Sequence, residues 1–333
     1  MSQRRLGMTI PLEGVQLASH KDLIAELEDA GYTDMWTGEA NSADAFTPLA
    51  AAASWSRTIT VGTGIAQVMS RGPAILATHI ATLCDLAPGR VEVGIGSSSE
   101  VIVQQWNDMP FERPYSRVRD TLRFLRKALA GEKVDEAFDT FEVRAFRQLR
   151  LPEVPPRIYV AALKGEMLKL AGREADGAVV NWLSPEDVKL VAREVTAGAA
   201  GAAGTGQRAL PDIVARLYVV PSEDRATVMR IGRMAMGAYM SVPVYRRFQE
   251  WVGRGEAFRD MWRLWDAGER KAAVEAIPEE VVDDLVVHGS PEECMARVQE
   301  YIDCGVTIPI FGMLAYGDEA VKGAKALSPG LLD

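Results

Sequence analysis

The strongest constraint on this chain is an alternation. From RLGMTI (5–10) to TIPIFGML (307–314), short β-branched or apolar runs are each followed by a helical stretch. A strand reached through a crossover helix runs parallel to its predecessor, and a parallel sheet must be covered on its faces. RLGMTI leads into SHKDLIAELEDAG (19–31), with Ser19 as the expected N-cap and Gly31 as the stop. YTDMWTG (32–38) precedes AFTPLAAAASW, and TITVGTGIA (58–66) precedes PAILATHIATLCDLA (73–87), which has Pro73 in its first turn. RVEVGIG (90–96) is the fourth strand, and the long excursion SSSEVIVQQWNDMP separates it from the helix SRVRDTLRFLRKALAG (116–131).

KVDEAFDTFEVRAF alternates as a hairpin, after which RIYVAAL, DGAVVNW and ARLYVVPS resume the series. Residues 222–286 read as wholly helical, too long for one crossover, and are expected to form an insertion near the barrel mouth. SPEECMARVQEYIDCG carries a capping box from Ser290 to Glu293, and TIPIFGML is the eighth strand. Eight such units in 333 residues predict an α/β chain folded as one (β/α)8 TIM barrel with insertions, residues 1–333, and not an open doubly wound sheet. AGAAGAAGTG (197–206) falls where an αβ loop belongs.

The net charge of −9 argues against nucleic acid or an anionic membrane as a partner. Cys84, Cys294 and Cys304 are odd in number and lack C-x-x-C spacing, so neither a disulfide scaffold nor a cysteine-rich metal site is expected. No apolar run reaches membrane-spanning length, and the one after Met1-Ser2-Gln3-Arg4-Arg5 is too short for a signal peptide. A cytoplasmic location follows as the expectation.

In this fold, sites form at the C-terminal ends of the strands. The expected tips are Thr37-Gly38-Glu39, Gly64-Ile65-Ala66-Gln67, Gly96-Ser97-Ser98-Ser99, Ala162-Leu163-Lys164-Gly165 and Asn181-Trp182. They are rich in glycine, hydroxyls and amides and poor in His, Cys and paired carboxylates. That composition suits backbone-rich binding of a large planar, phosphorylated molecule better than metal hydrolysis or nucleophilic catalysis. Ser97-Ser98-Ser99 and Lys164-Gly165 both precede helical segments, where free N–H groups and an ammonium could cradle phosphate. A serine-rich N-cap and an ordinary βα turn would read the same way. Gly62-Thr63-Gly64 and Gly94-Ile95-Gly96 lack the third glycine of a dinucleotide fingerprint and fit close-packing glycines in barrel strands. Glu39 faces the ligand mouth or forms a salt bridge. His79 fits core or subunit-interface packing, and Phe258, Met261, Trp262 and Trp265 share one helical face, as a core or a lid.

Three stretches, YVAALKGEMLKLAGREADGAVVNW, RVEVGIGSSSEVIVQQWN with FERPYSRVRDTLRFLRKALAGE, and HGSPEECMARVQEYIDCGV, resemble the luciferase-like flavin and deazaflavin oxidoreductases. The likeness is closest to the actinobacterial branch that uses coenzyme F420, and runs from the first strand to about residue 315. It implies a homodimeric barrel acting on a small-molecule substrate, with F420 as cofactor and no metal. It also implies a non-prolyl cis peptide at Gly64-Ile65 beside the central ring, and cofactor phosphate at Ser97, Ser98 and Leu163-Lys164-Gly165. Glu39 would orient the ring edge or exchange a proton as the catalytic residue. The cofactor-binding set on this reading is Glu39, Gly64, Ile65, Ala66, Ser97, Ser98, Ser99, Ala162, Leu163, Lys164, Gly165 and Asn181, with Met8, Met69, Trp106 and Trp182 around the substrate. Some deazaflavin dehydrogenases carry a histidine after the acidic residue, a nearby tryptophan and a glutamate after strand four. Here those places hold Ala40, Asp44 or its neighbours, and Ser99, which favours a reductase. The rival expectations are an FMN-dependent monooxygenase and a flavin-binding barrel without catalysis.

Overall fold

The computed structural model describes residues 4–201 and 210–332. Its strands are β1 (Gly7–Thr9), β2 (Asp34–Thr37), β3 (Thr60–Gln67) and β4 (Val91–Gly96), the hairpin β5 (Val134–Ala137) and β6 (Glu142–Phe146), then β7 (Arg157–Ala161), β8 (Gly177–Asn181), β9 (Asp212–Val220), β10 (Val286–His288) and β11 (Ile308–Met313). The parallel order β9-β11-β1-β2-β3-β4-β7-β8 closes on itself through β8–β9 pairing, leaving the hairpin outside and β10 as an extra strand along the far end of β9. The eight-stranded (β/α)8 barrel is therefore complete.

Helices α1 (His20–Asp29), α2 (Thr47–Trp55), α3 (Pro73–Leu86), α4 (Pro114–Leu129), α5 (Gly165–Glu174) and α6 (Pro185–Ala200) wrap the first six barrel strands. Between β9 and β10 lie α7 (Arg225–Met240), α8 (Pro243–Trp251), α9 (Gly255–Asp266), α10 (Arg270–Glu275) and α11 (Glu279–Leu285), and α12 (Pro291–Asp303) and α13 (Asp318–Ala326) flank β11. Outward-facing strand residues such as Met8, Val61, Ala66, Val93 and Phe311 join the helices in one buried core.

The barrel interior is layered, as side-chain alternation along strands requires. At the N-terminal end Arg5 pairs with Asp34 and with Glu92 (2.8 Å), and Arg157 pairs with Asp212 (2.6 Å). Above these charges sit Trp36, Tyr159, Val179, Val214, Ile308 and Ile310. Gly62 makes room for them: a Cβ there would lie 2.5 Å from the Trp36 indole. The G-x-G pairs are thus packing glycines of the strands.

Several local expectations change. The Ser19 hydroxyl makes no cap bond, because Leu17–Ser19 already form a 3-10 turn leading into α1. Gly31 does end the segment, at φ +102°. Residues 197–200 are the last turn of α6 and not a loop, since Gly198 packs directly on the α5 backbone at Lys169. The remainder of that small-residue run, from 202, lies outside the described residues. Residues 222–286 are not wholly helical: Val286 begins β10, its chain captured by the exposed edge of β9 beyond the end of β8. The Ser290–Glu293 capping box is present, and Ser184–Asp187 forms a second one that the sequence reading missed.

Candidate active site

The inward register of the strands ends, at the C-terminal mouth, in a floor of mostly small residues. Gly38, Gly96, Ala161, Asn181 and Gly312 succeed the aromatic and aliphatic layer on their strands. A Cβ on Gly96 would lie 2.5 Å from Ile65 Cδ1 and 2.9 Å from Ala161 Cβ, so no larger side chain fits there. The floor stays flat and wide, which a planar ligand needs.

Ile65 is the extra residue of a bulge: Gly64 pairs with Gly94, Ala66 with Ile95, and Gly64–Ile65 is a cis peptide. Gly64 and Ile65 are both half-buried at the mouth. Ala66 is wholly buried in the outer core, so only its backbone is available to a ligand. Ala162 likewise points outward, and Ala161 takes the inward position. Met8 and Met69 also pack in the outer core, away from the mouth, and Trp106 is 52% exposed on the π-helical turn Val101–Trp106. Trp182 is buried beside the mouth.

Glu39 follows β2, but its carboxylate is fully occupied. Oε1 accepts from Ala45 N–H (3.2 Å), Oε2 from Gln67 N–H (3.1 Å), and Arg71 grips both oxygens. A carboxylate offers about four acceptor sites, and all are taken here. Glu39 ties the loop after β2 to the end of the bulged strand. The salt-bridge alternative of the sequence reading is present, made by Arg71, 32 residues away, which no sequence signal linked to Glu39. Asp44 caps α2 by accepting from Phe46 N–H (2.8 Å) and Thr47 N–H (2.9 Å). Burial pushes its carboxyl up, yet those bonds outweigh it and hold it below the ordinary value. It is a structural cap.

Across the floor, β4 and β7 end in the polar rim. Among the described residues Ser97 Oγ bonds only the Ser98 carbonyl (3.3 Å), Ser98 sits at φ +61°, and Ser99 Oγ accepts from Ile102 N–H (3.4 Å). Lys164 precedes α5 in an extended conformation, and its side chain supplies no cap bond to the helix. The first N–H groups of α5 therefore point, uncapped by a side chain, toward the rim. Gly165 has φ +56° with nothing within 4 Å of a would-be Cβ, so its surroundings are open. Among the described residues no carboxylate pairs with Lys164. Leu163 packs partly on the outer core and holds this turn in place.

The remaining wall is aromatic. Trp182 stacks on Tyr218 (4.0 Å between centroids), Tyr239 from α7 closes on both, and Asn181 Nδ2 donates to Tyr245 Oη (3.2 Å) from α8. Gln249 Nε2 donates to the Trp182 carbonyl (2.9 Å). Burial, reinforced by Tyr239, pushes the Tyr218 phenol well above its ordinary value, with Arg216 pulling the other way; burial also raises Tyr245. Both remain protonated. Phe258, Met261 and Trp262 form the insertion's own core with Trp182 and Tyr218. His79 lies exposed on α3 beside the Phe46 ring (5.2 Å), so it is surface and not core. Arg216, on the floor itself, was not foreseen. An arginine within ARLYVVPS gave no signal until the register placed it inward.

The sequence model of the luciferase-like monooxygenase family matches residues 2–307. A Mycobacterium tuberculosis protein provisionally named a coenzyme F420-dependent oxidoreductase is 27% identical over 97% of this chain and 98% of its own. An F420-dependent secondary alcohol dehydrogenase, solved with an F420–acetone adduct, superposes with a TM-score of 0.80 at 18% identity, covering 99% of this chain and 100% of that one. The F420-dependent tetrahydromethanopterin reductase of Methanopyrus kandleri gives 0.77 at 21% identity, covering 98% of both chains. These two structures share the fold.

Proposed function

Because the chain belongs to the luciferase-like monooxygenase family, we propose that it is an F420-dependent oxidoreductase passing hydride between the deazaflavin and a small organic substrate. The observation that carries this reading is the pairing of a small-residue floor with a polar rim at β4 and α5. A flat ring system fits the floor over Gly96 and Ala161, supported at its centre by Ile65. Its phosphodiester fits the hydroxyls of Ser97, Ser98 and Ser99, the Lys164 ammonium and the N–H groups opened by Gly165. Ala66, Ala162 and Leu163 contribute backbone only, and Asn181 offers its amide oxygen. Glu39 acts through the bulge it braces. The similarity to F420-dependent proteins along nearly the whole chain supports the cofactor's identity.

When bound, reduced F420 supplies a hydride from carbon five and reacts poorly with oxygen. What the protein adds is position and dryness. The aromatic wall from α7 and α8 excludes water on one side, and its phenols stay protonated. The residues that form the floor carry no imidazole and no carboxylate among the described residues. Glu13, the acid acting on Arg216, is exposed to solvent, so an alcohol over the floor would find no base in contact. Reduction of an electrophilic substrate needs none, which favours the reductase direction.

The exposed Ile75 and Leu86 on α3, with Leu149, Leu151 and Val154 beside them, form an apolar surface that fits a second copy of the chain. The three thiols are unpaired, and no described helix is long and apolar enough to cross a membrane; a cytoplasmic homodimer is the assembly proposed. The deciding experiment is a paired fluorescence titration with F420 and FMN. Micromolar or tighter F420 binding with much weaker FMN binding is expected, and the reverse preference would establish FMN chemistry instead.

A further inference from the structure

One cation on the floor is not used by the cofactor. Arg216 leaves β9 on its inward side and crosses the mouth between Gly312 and Gly38. A Cβ on Gly312 would lie 3.1 Å from its Nε, and one on Gly38 2.7 Å from Nη1. Those two glycines flank β1 in the sheet order, so the guanidinium lies across the β9-β11-β1-β2 side of the barrel. The phosphate rim at β4 and β7 is on the opposite side.

Elsewhere in this protein the inward arginines have carboxylates: Arg5 meets Asp34 and Glu92, and Arg157 meets Asp212. Arg216 meets none among the described residues, and its buried Nε has no acceptor. The Tyr218 ring lies 5.2 Å from Cζ to centroid, Tyr239 and Tyr245 also favour the charge, and the exposed Glu13 carboxylate acts on it only from beyond ion-pair distance. A guanidinium half-withdrawn from water, with no anion in contact, is costly to hold, and such a cost persists where a ligand relieves it. Three more buried polar atoms at this end lack partners: Thr9 Oγ1, on the strand Arg216 crosses, Trp182 Nε1, beside Tyr218, and Oε1 of Gln249, whose amide N–H bonds the Trp182 carbonyl.

We propose that Arg216 is the anchor for a substrate carboxylate, so that the substrates of this enzyme are small organic acids with an apolar or unsaturated body. The planar fork of a guanidinium matches the two oxygens of a carboxylate in one plane. Tyr218, Tyr239 and Trp182 then line the space for the rest of the molecule. Anchoring the acid across the barrel from the phosphate rim leaves the body of the substrate over the ring. The inference rests on the cofactor placement proposed above for that last step only; the anion site itself is built from the chain's own residues.

The test is calorimetric titration of benzoate against benzamide, and cinnamate against cinnamamide, on cofactor-free and F420-loaded protein. Wild type is expected to bind each acid at least about tenfold tighter than its amide, as charge-assisted hydrogen bonds require. Arg216→Met should erase that preference, Arg216→Lys should keep part of it, and F420 affinity should change less than about threefold in both. Because the guanidinium forms no ion pair among the described residues, Arg216→Met should fold with its Tm retained. Equal binding of acid and amide in both pairs, or a preference that survives Arg216→Met, overturns the proposal. So does a loss of F420 affinity beyond about tenfold in Arg216→Met, which would place the guanidinium on the cofactor. If wild type fails to bind F420, the cofactor reading falls, while the acid–amide comparison on cofactor-free protein still decides the role of Arg216.

Discussion

With all four acceptor positions of the Glu39 carboxylate taken, its partner becomes the informative place to cut. Arg71→Met leaves an 8%-exposed carboxylate with two backbone N–H partners and no cation, and the expected loss in denaturant-monitored stability is about 2–4 kcal/mol. A change within error would mean that the bracing account of Glu39 is wrong. His20 makes a second residue-level case. Its Nε2 accepts from Leu12 N–H (2.8 Å) and its Nδ1–H donates to the Gln16 carbonyl (3.0 Å), which requires the neutral ring. Burial pushes its pKa below the ordinary 6.5, opposed by the bond to Gln16. The unfolded chain therefore takes up the proton first as pH falls. The stability His20 contributes is whole above 6.5 and drains away between that value and its lower folded pKa. Thermal melts at falling pH should show a smaller drop for His20→Gln than for wild type; parallel curves would contradict the assignment. Neither pairing was legible in the sequence. Glu39 and Arg71 meet only because β2 and β3 are adjacent and Arg71 lies just beyond the bulge, and periodicity says nothing about which distant side chains converge.

Among the elements, α5 shows what periodicity can and cannot deliver. Its apolar face and the glycine opening it are visible in GEMLKLAGRE, and its place after β7 follows from the alternation. Its tight seat against α6 is not visible, because Gly172 and Gly198 look like ordinary small residues. A Cβ on Gly172 would run into the Val195 carbonyl, and one on Gly198 into that of Lys169. Gly172→Ala should therefore cost about 1–3 kcal/mol by overpacking. By tilting α5 it should also weaken F420 binding in protein that is still folded; full retention of both would mean that α5 is held some other way. Which side chain at a strand tip faces inward was not legible for a related reason. A one-residue error in where a strand ends moves the expected contact from Ala161 to Ala162, which flips it to the other face.

For the molecule as a whole, the alternation was enough to foresee a closed eight-stranded barrel, because parallel strands joined by helices have few ways to cover both faces. The extra strand β10 escaped, since three residues carry no period. The floor was half legible: its glycines and serines were seen as a ligand mouth, but the arginine across it was hidden inside a strand. The apolar patch on α3 belongs to this scale too. Ile75→Glu with Leu149→Glu should shift sedimentation from dimer to monomer while F420 affinity holds, and a wild type that sediments as a monomer would refute the assembly.

The central claim is that the deazaflavin's phosphodiester lies on the rim built by Ser97, Ser98, Lys164 and the start of α5. The most direct measurement compares the affinity of wild type and Lys164→Ala for F420 with that for the same deazaflavin lacking phosphodiester and tail. The account predicts that wild type prefers intact F420 by about ten- to a hundredfold, as charge-assisted bonds to phosphate require, and that Lys164→Ala removes most of that preference without lowering Tm. Equal affinity for both ligands, or a preference untouched in Lys164→Ala, would contradict it.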